Sequence, residues 1–416
     1  MSSALRKGWC PSARRPMMSG DGLILRLSVD DGVVTPALAH RLAHLSRRYG
    51  NGLLDLSSRA NLQLRGVTDA TLPALQTELR KLGLLEADEA PPVARNILVS
   101  PLAGIDPQAV LDIGPCVGAL RQRLQHDGAL HRLSAKFGFI VDDGGALSVA
   151  AEKADVSFLA QRGASDPYFL VCLAGEPAGE CAIDALADVG LRIARVFLQS
   201  REAVDQRMSD HVRRRGIKLI AERAGLAKTA AEIAGGRSPR PIGAFRVGAH
   251  QVLGLGIAFG RLDAAQLAKL AEVAEACRGA LRLTPWRAIL IVGAAPPSAA
   301  QLADAGLIFA DDDPLRAVAA CPGAPRCASG TTPTQDDARR IAPLARQLKA
   351  HGIAVHVSGC AKGCAYSAAA PVTFVGRDGR YDLVRDGRAG DTAVATSLES
   401  SQLSLVLQQL VAKADA

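Results

Sequence analysis

Residues 321–327 read CPGAPRC, and residues 360–364 read CAKGC. Together they place four cysteines, Cys321, Cys327, Cys360 and Cys364, on two turns that carry glycine or proline. A Cys-x5-Cys turn paired with a Cys-x3-Cys turn is not the usual spacing of a zinc finger or a redox dithiol. Four thiolates on irregular backbone are what a cubane cluster of four irons requires. Glycine and proline let the chain wrap closely around a bulky ligand and leave backbone N–H groups free to point at its sulfides. Zinc also takes four thiolates, so a zinc-stapled module stays open at this point.

The other five cysteines, Cys10, Cys116, Cys172, Cys181 and Cys277, are scattered. An odd total of nine in a 416-residue chain argues against a disulfide framework. Cys172 lies in YFLVCLAG, which reads as a buried strand.

Working outward from the cysteine turns, the chain reads as if written twice. GDGLILRLSV reads as a strand, VTPALAHRLAHLSRRYG as an amphipathic helix, and LLDLSSRANLQLRGV as a second strand segment with a turn. Beyond residue 245, HQVLGLGIAFG, RLDAAQLAKLAEVAEACRG and ALRLTPWRAILIVGA repeat that order. ARNILVSPLAGID (94–106) then stands where AVAACPGAPRCASG stands later, and HRLSAKFGFIVDDGGALSVA stands where HVSGCAKGCAYSAAAPVTFVG stands. The first half is thus a version of the second without the paired-cysteine turns.

The pattern predicts an α+β, internally duplicated protein. Two ferredoxin-like half domains, 15–85 and 243–312, are expected to share one pseudo-symmetric sheet. Two larger α/β units, 90–232 and 313–413, are expected to pack around a cofactor site between them. GGRSPRP (235–241) has the composition of a linker.

Composition narrows the function classes. Hydrophobic residues at 48% and charged residues at 22% fit a globular protein with a large core. No apolar run approaches eighteen residues, and MSSALRKGWCPSARRP lacks a secretory core, so a cytoplasmic protein is expected. The net charge of +8 asks for an anionic partner, but aromatics at 4%, nowhere interleaved with Lys and Arg, speak against nucleic acid. An anion pocket built from converging arginines explains the charge better. The RRR run at 213–215 reads as a solvated helix face.

WCPSARRPMMSGDGLILR, YGNGLLDLSSRANLQLRGV, RNILVSPLAG, LRLTPWR, ACPGAPRCASG and VSGCAKGC together resemble the nitrite and sulfite reductase superfamily. The CPSARRPMMSGDGL segment resembles its precorrin-3B synthase branch. The resemblance covers almost the whole chain, in family order. It implies a 4Fe–4S cluster on Cys321, Cys327, Cys360 and Cys364, with Cys364 at the position that also bridges to siroheme iron in related reductases. It further implies substrate-binding roles for Arg26, Arg59, Asn61, Gln63, Arg65, Arg95 and Lys136. On an extended segment Arg59, Asn61, Gln63 and Arg65 would face one side. Where sulfite reductases carry a second lysine two positions after the first, this chain has Gly138, expected to open space beside Lys136.

The activity this implies is O2-dependent hydroxylation of precorrin-3A at C20 with γ-lactone formation, in aerobic cobalamin biosynthesis. The implied partners are precorrin-3A, O2 and an electron-donating reductase or ferredoxin, with NADH as an indirect donor. A mononuclear non-haem iron is implied as well. His40 and His44 lie four apart on a helix and could share a metal, but an exposed amphipathic helix explains them equally. GLGIAFG (254–260) lacks nicotinamide-fingerprint spacing and reads as a close-packed strand. A siroheme-dependent sulfite or nitrite reductase is the alternative enzyme, and an electron carrier the alternative of another class.

Overall fold

The computed structural model describes residues 10–85, 91–202, 205–227, 233 and 239–414; residues 235–238 of the expected linker lie outside them. Among the described residues the chain forms nine α-helices and four five-stranded sheets, the α+β class that the periodicity predicts.

Each ferredoxin-like half builds its helix from strong local signals. Thr35 caps Pro36–Tyr49 by accepting the Leu38 N–H at 3.2 Å, proline occupies the first turn, and Arg47 and Arg48 close the last. Asp263 and Gln266 form a reciprocal capping box at the start of Ala264–Ala276. The apolar stripes of the two helices, Ala39, Leu42, Ala43 and Leu45 on one and Leu267, Leu270, Ala271 and Ala274 on the other, meet in one core.

The expectation of one sheet shared by both halves is corrected. There are two sheets, and each is completed by an edge strand from the other half. Val33–Val34 pairs with Ala280–Leu283, and Arg261–Asp263 pairs with Leu53–Leu56. Matching 3-10 turns, Asp30–Gly32 and Ala258–Gly260, precede the exchanged strands, with Asp31 and Phe259 both in the left-handed region at φ 53° and 56°. Those turns send each chain across to its neighbour. The halves therefore share a core and exchange edges, which also protects the edges from stray pairing.

The two larger units repeat one topology. Ile97–Val99, Phe139–Asp142 and Val156–Gln161 run parallel, followed by antiparallel Tyr168–Leu173 and Glu176–Cys181. Val318–Ala320, Val355–Ser358 and Ala370–Arg377 run parallel, followed by antiparallel Arg380–Gly387 and Ala395–Leu398. Gly114–Gln125 and Thr334–Ala350 are the corresponding crossover helices. Ligands in such sheets gather beyond the carboxyl ends of the parallel strands. There the units diverge: Cys321 directly follows one strand, and Ser100 directly follows its counterpart.

In the first unit carboxylates fill the loops that carry thiols in the second. Asp142 accepts the N–H groups of Gly144 (2.9 Å) and Val149 (2.6 Å), Asp106 accepts that of Ala146 (2.6 Å), and Ser100 Oγ accepts that of Asp143 (3.0 Å). The arginine run at 213–215 forms an ion-pair ladder with Asp210, Glu202 and Asp205.

Candidate substrate cavity and cluster loops

The four cysteines lie on two loops held against each other. Gly359 sits where a side-chain carbon would stand 3.1 Å from the Gly323 Cα and 3.2 Å from the Gly330 Cα, so any larger residue would push the loops apart by a few tenths of an ångström. Lys362 Nζ donates to Ser329 Oγ (2.8 Å) and ties the loops together. Thr334 Oγ1 donates to the Cys321 carbonyl (2.5 Å), and Ser358 Oγ to that of Cys360 (2.7 Å).

These residues fit an iron–sulfur group. The Gly359 N–H already donates to Cys321 Sγ at 3.1 Å, the kind of backbone contact that tunes a thiolate ligand. Burial raises the pKa of Cys360 and Cys364, and the neighbouring thiols of the set raise both further. A cationic core among them would relieve that mutual repulsion. Among the described residues no three His, Cys, Asp or Glu side chains are gathered into a ready metal cage, and no ligand set for a mononuclear iron is brought together. His40 is half-buried and 4.0 Å from Glu275, while His44 is exposed.

Two adjoining cavities of about 500 and 430 Å³ share Ser28, Asn61 and Arg95. The larger is lined by Arg14, Arg15 and Arg26, the smaller by Arg59 and Arg121. The arginines of the first segment are positioned by a turn: the Ser12 N–H donates to the Arg15 carbonyl and the Arg15 N–H to Ser12 Oγ, each at 3.0 Å. Gln76 Nε2 then pins this turn through the carbonyls of Ala13 and Arg14, both at 3.1 Å. Sequence reasoning had assigned Arg14 and Arg15 no role. Their doubled appearance between Pro11 and Pro16 was the available signal.

Among the residues expected to bind substrate, Arg26, Arg59, Asn61 and Arg95 come together. Arg26 pairs across strands with Gln63, whose amide oxygen, turned toward the guanidinium, accepts from Nε and Nη2 at 3.2 Å each. Burial and then Arg26 push the Arg95 pKa down to about 10. Burial lowers that of Arg59 too, with Arg207 next in effect. Asp155, which would partly neutralise Arg59, is held by Arg207 at 2.9 Å. Arg59 Nη2 donates to the Lys153 carbonyl (2.7 Å), while its Nη1 is buried without a hydrogen-bond partner. The site is therefore a desolvated cluster of cations, which favours a bound polyanion.

Three expectations depart from the geometry. Arg59 does not continue an extended face, because residues 57–61 form a hairpin turn with Ala60 at φ 52°. Arg65 is 1% exposed, and its donors are taken by Asp21, Asp55, Ser19 Oγ and the Arg326 carbonyl. It braces the cluster loop instead of facing a ligand. Gly138 opens no space, because the Asn96 side chain fills it. A side-chain carbon at Gly138 would meet Asn96 Nδ2 at 2.5 Å, and Asn96 donates to the carbonyls of Lys136 (3.1 Å) and Phe137 (2.9 Å). Lys136 is half-buried and follows the cavity-wall residue Ala135. We expect Gly138→Ala to lower stability by about 1–3 kcal/mol through overpacking, measured by denaturant unfolding. An unchanged midpoint would show that Asn96 yields without cost.

Comparison with known proteins agrees with this architecture. Residues 15–82 and 245–305 match the nitrite/sulfite reductase ferredoxin-like half domain. A precorrin-3B synthase from Sinorhizobium sp is 33% identical over 395 residues, covering 93% of this chain and 84% of the relative. The chain belongs to the precorrin-3B synthase family. Its likeness to reductases is more distant: the chloroplastic ferredoxin–nitrite reductase of Spinacia oleracea is 23% identical, over 85% of this chain and 66% of its own. The Mycobacterium tuberculosis NirA protein shares the fold, with a TM-score of 0.75 at 20% identity over 94% of this chain and 80% of that one. Among its described residues this chain has no helix long and apolar enough to cross a membrane. Nor is GLGIAFG a dinucleotide loop: at Gly254 a side chain would run into the Pro241 carbonyl, so the glycine serves strand packing.

Proposed function

We propose that this chain hydroxylates precorrin-3A at ring carbon C20 in an O2-dependent reaction, with an acetate side chain closing to a γ-lactone. The observation that carries this reading is the pair of adjoining arginine-lined cavities. A flexible macrocycle bearing many carboxylates needs cations at several corners, and Arg14, Arg15, Arg26, Arg59 and Arg95 offer them. Cys321, Cys327, Cys360 and Cys364 would hold a 4Fe–4S cluster, which would supply single electrons drawn from a separate reductase or ferredoxin-type protein. The chain's own groups bind and orient. Arg26, held by Gln63, and Arg95 grip carboxylates in the larger cavity; Arg59 Nη1 and Asn61 continue the contact into the smaller one. Fixing the macrocycle at several points aligns C20 and lowers the entropic part of the barrier.

The filled space at Gly138 favours this reading over sulfite or nitrite reduction. The second lysine that would help hold a small oxyanion is absent, and Asn96 occupies its place. Given precorrin-3A, labelled dioxygen and reductant, the purified protein should form a hydroxylactone carrying one oxygen from O2. Rapid six-electron reduction of sulfite, with stoichiometric bound siroheme, would overturn the proposal.

The cations supply a further expected result. Removing one charge-assisted contact by Arg59→Ala or Arg95→Ala should weaken precorrin binding by about tenfold or more, from roughly 1.5–3 kcal/mol per contact. Fluorescence titration with precorrin-3A checks this, and parental affinity in both variants would place the pocket elsewhere.

A further inference from the structure

A second basic cavity lies at the other end of the second-half sheet, and the reading above leaves it unused. It measures about 260 Å³ and is lined by Arg287, Arg316, Lys349, His356 and Tyr366. Its position follows from the duplication. Five-residue hairpin loops, 57–61 and 284–288, stand at corresponding corners of the two half domains. Within them Arg287 takes the left-handed position that Ala60 holds in the first half, at φ 55° against 52°. The 3-10 turns Pro92–Arg95 and Pro314–Arg316 both end in an arginine two residues before the first parallel strand. Lys349, in the last turn of its crossover helix, closes the cavity as Gln125 does in the first half. The small cavity is thus the counterpart of the Arg59–Arg95 cavity.

Its polar groups are poorly satisfied from within the protein. His356 is 1% exposed, and both of its ring nitrogens are buried without a hydrogen-bond partner. Arg316 Nε is buried and unpartnered as well, although Asp311 lies 3.4 Å from Arg316 Nη2. Arg287 Nη2 donates to the Ala365 carbonyl at 3.2 Å. Burial, and then repulsion from Arg316, lowers the Arg287 pKa. Burial and Arg287 push the His356 pKa down to about 4, so the imidazole is neutral near pH 7 and keeps one N–H to donate.

We propose that this cavity binds a small inorganic oxyanion, phosphate or sulfate, between Arg287, Arg316 and Lys349, with a ring nitrogen of His356 as a further donor. The volume is below that of sites for drug-sized ligands, which excludes a macrocycle. The site lies under the CAKGC loop. Arg287 holds the Ala365 carbonyl next to Cys364, and the His356 ring edge comes within 3.9 Å of the space beside Gly363. Filling it therefore steadies the loop that carries Cys360 and Cys364.

Calorimetric titration of the full-length protein with sodium phosphate and with sodium sulfate, against sodium chloride at matched ionic strength, tests this. The parent should bind one or both oxyanions and not chloride. Arg316→Gln should weaken that binding by about tenfold or more, as expected for loss of a charge-assisted contact. Lys349→Gln, at an exposed position where folding is not at risk, should weaken it several-fold. Arg213→Gln, on an exposed helix face of the first larger unit, should leave it unchanged. Absence of heat specific to either oxyanion, an unaltered affinity in Arg316→Gln and Lys349→Gln, or loss of binding in Arg213→Gln would each overturn the assignment. None of these outcomes depends on turnover of precorrin-3A.

Discussion

Serine at any one of Cys321, Cys327, Cys360 or Cys364 is expected to abolish stable cluster binding and to lower the proposed oxygenase activity by orders of magnitude. Serine is close in size, so the change removes a soft thiolate ligand without removing the loop. The four positions should differ in what accompanies that loss. Cys321 is buried, and its Sγ accepts the Gly359 N–H, so its variant should also loosen the contact between the loops. Cys364 is the most exposed of the four residues, although its thiol is partly enclosed, so its variant should melt like the apo-parent. Iron and acid-labile sulfide content after anaerobic purification is the measurement. Cys172→Ser, altering a buried strand residue of the other unit, serves as the control and should keep full iron. Normal iron and sulfide in all four loop variants would sink the assignment.

Arg65→Met should cost about 3–5 kcal/mol of stability, the usual result of removing one partner from a buried ion pair. The guanidinium stands between Asp21 (2.6 Å) and Asp55 (2.8 Å) with its side chain only 2% exposed. Asp55 in turn holds Arg261 on the exchanged strand at 2.7 Å, and Arg261 Nη1 reaches Gln335 Oε1 at 3.3 Å. One network thus joins the first sheet, the exchanged strand and the crossover helix of the cluster unit. Arg65 Nη2 extends it to the Arg326 carbonyl (2.8 Å), within the first cysteine turn. Loss of Arg65 should therefore lower the denaturant midpoint and perturb the cluster's paramagnetic signal together, and Arg65→Lys should restore only part of each. Folded Arg65→Met protein should still bind precorrin-3A. Unchanged stability with lost affinity would return Arg65 to the substrate site.

Much of this was legible in the amino-acid order because it depends on near neighbours. Helix caps at Thr35 and Asp263, the strand alternation, the duplicated element order and the four-thiol set are all encoded within a few residues of where they act. The arginines were legible as a surplus of charge, though not in their pairing. Arg59 and Arg65 look equivalent in SRANLQLR, yet one has a buried nitrogen without a partner and the other is fully claimed. What separates them arrives from elsewhere: the Arg326 carbonyl lies 261 residues away, and Asp21 lies 44. Gly138 follows the same logic, since a missing side chain reads as empty space until Asn96 is seen to fill it. So does the exchange of edge strands: Val34 opens a stretch that reads as helix, and only the turn at Asp31 and Gly32 makes Val33–Val34 a strand and decides which sheet receives it. Local periodicity determined the elements and the ligand set. The partners of buried charges and of strand edges were decided by packing between residues distant along the chain, because a charge or an edge takes whichever complement the assembled core brings within reach.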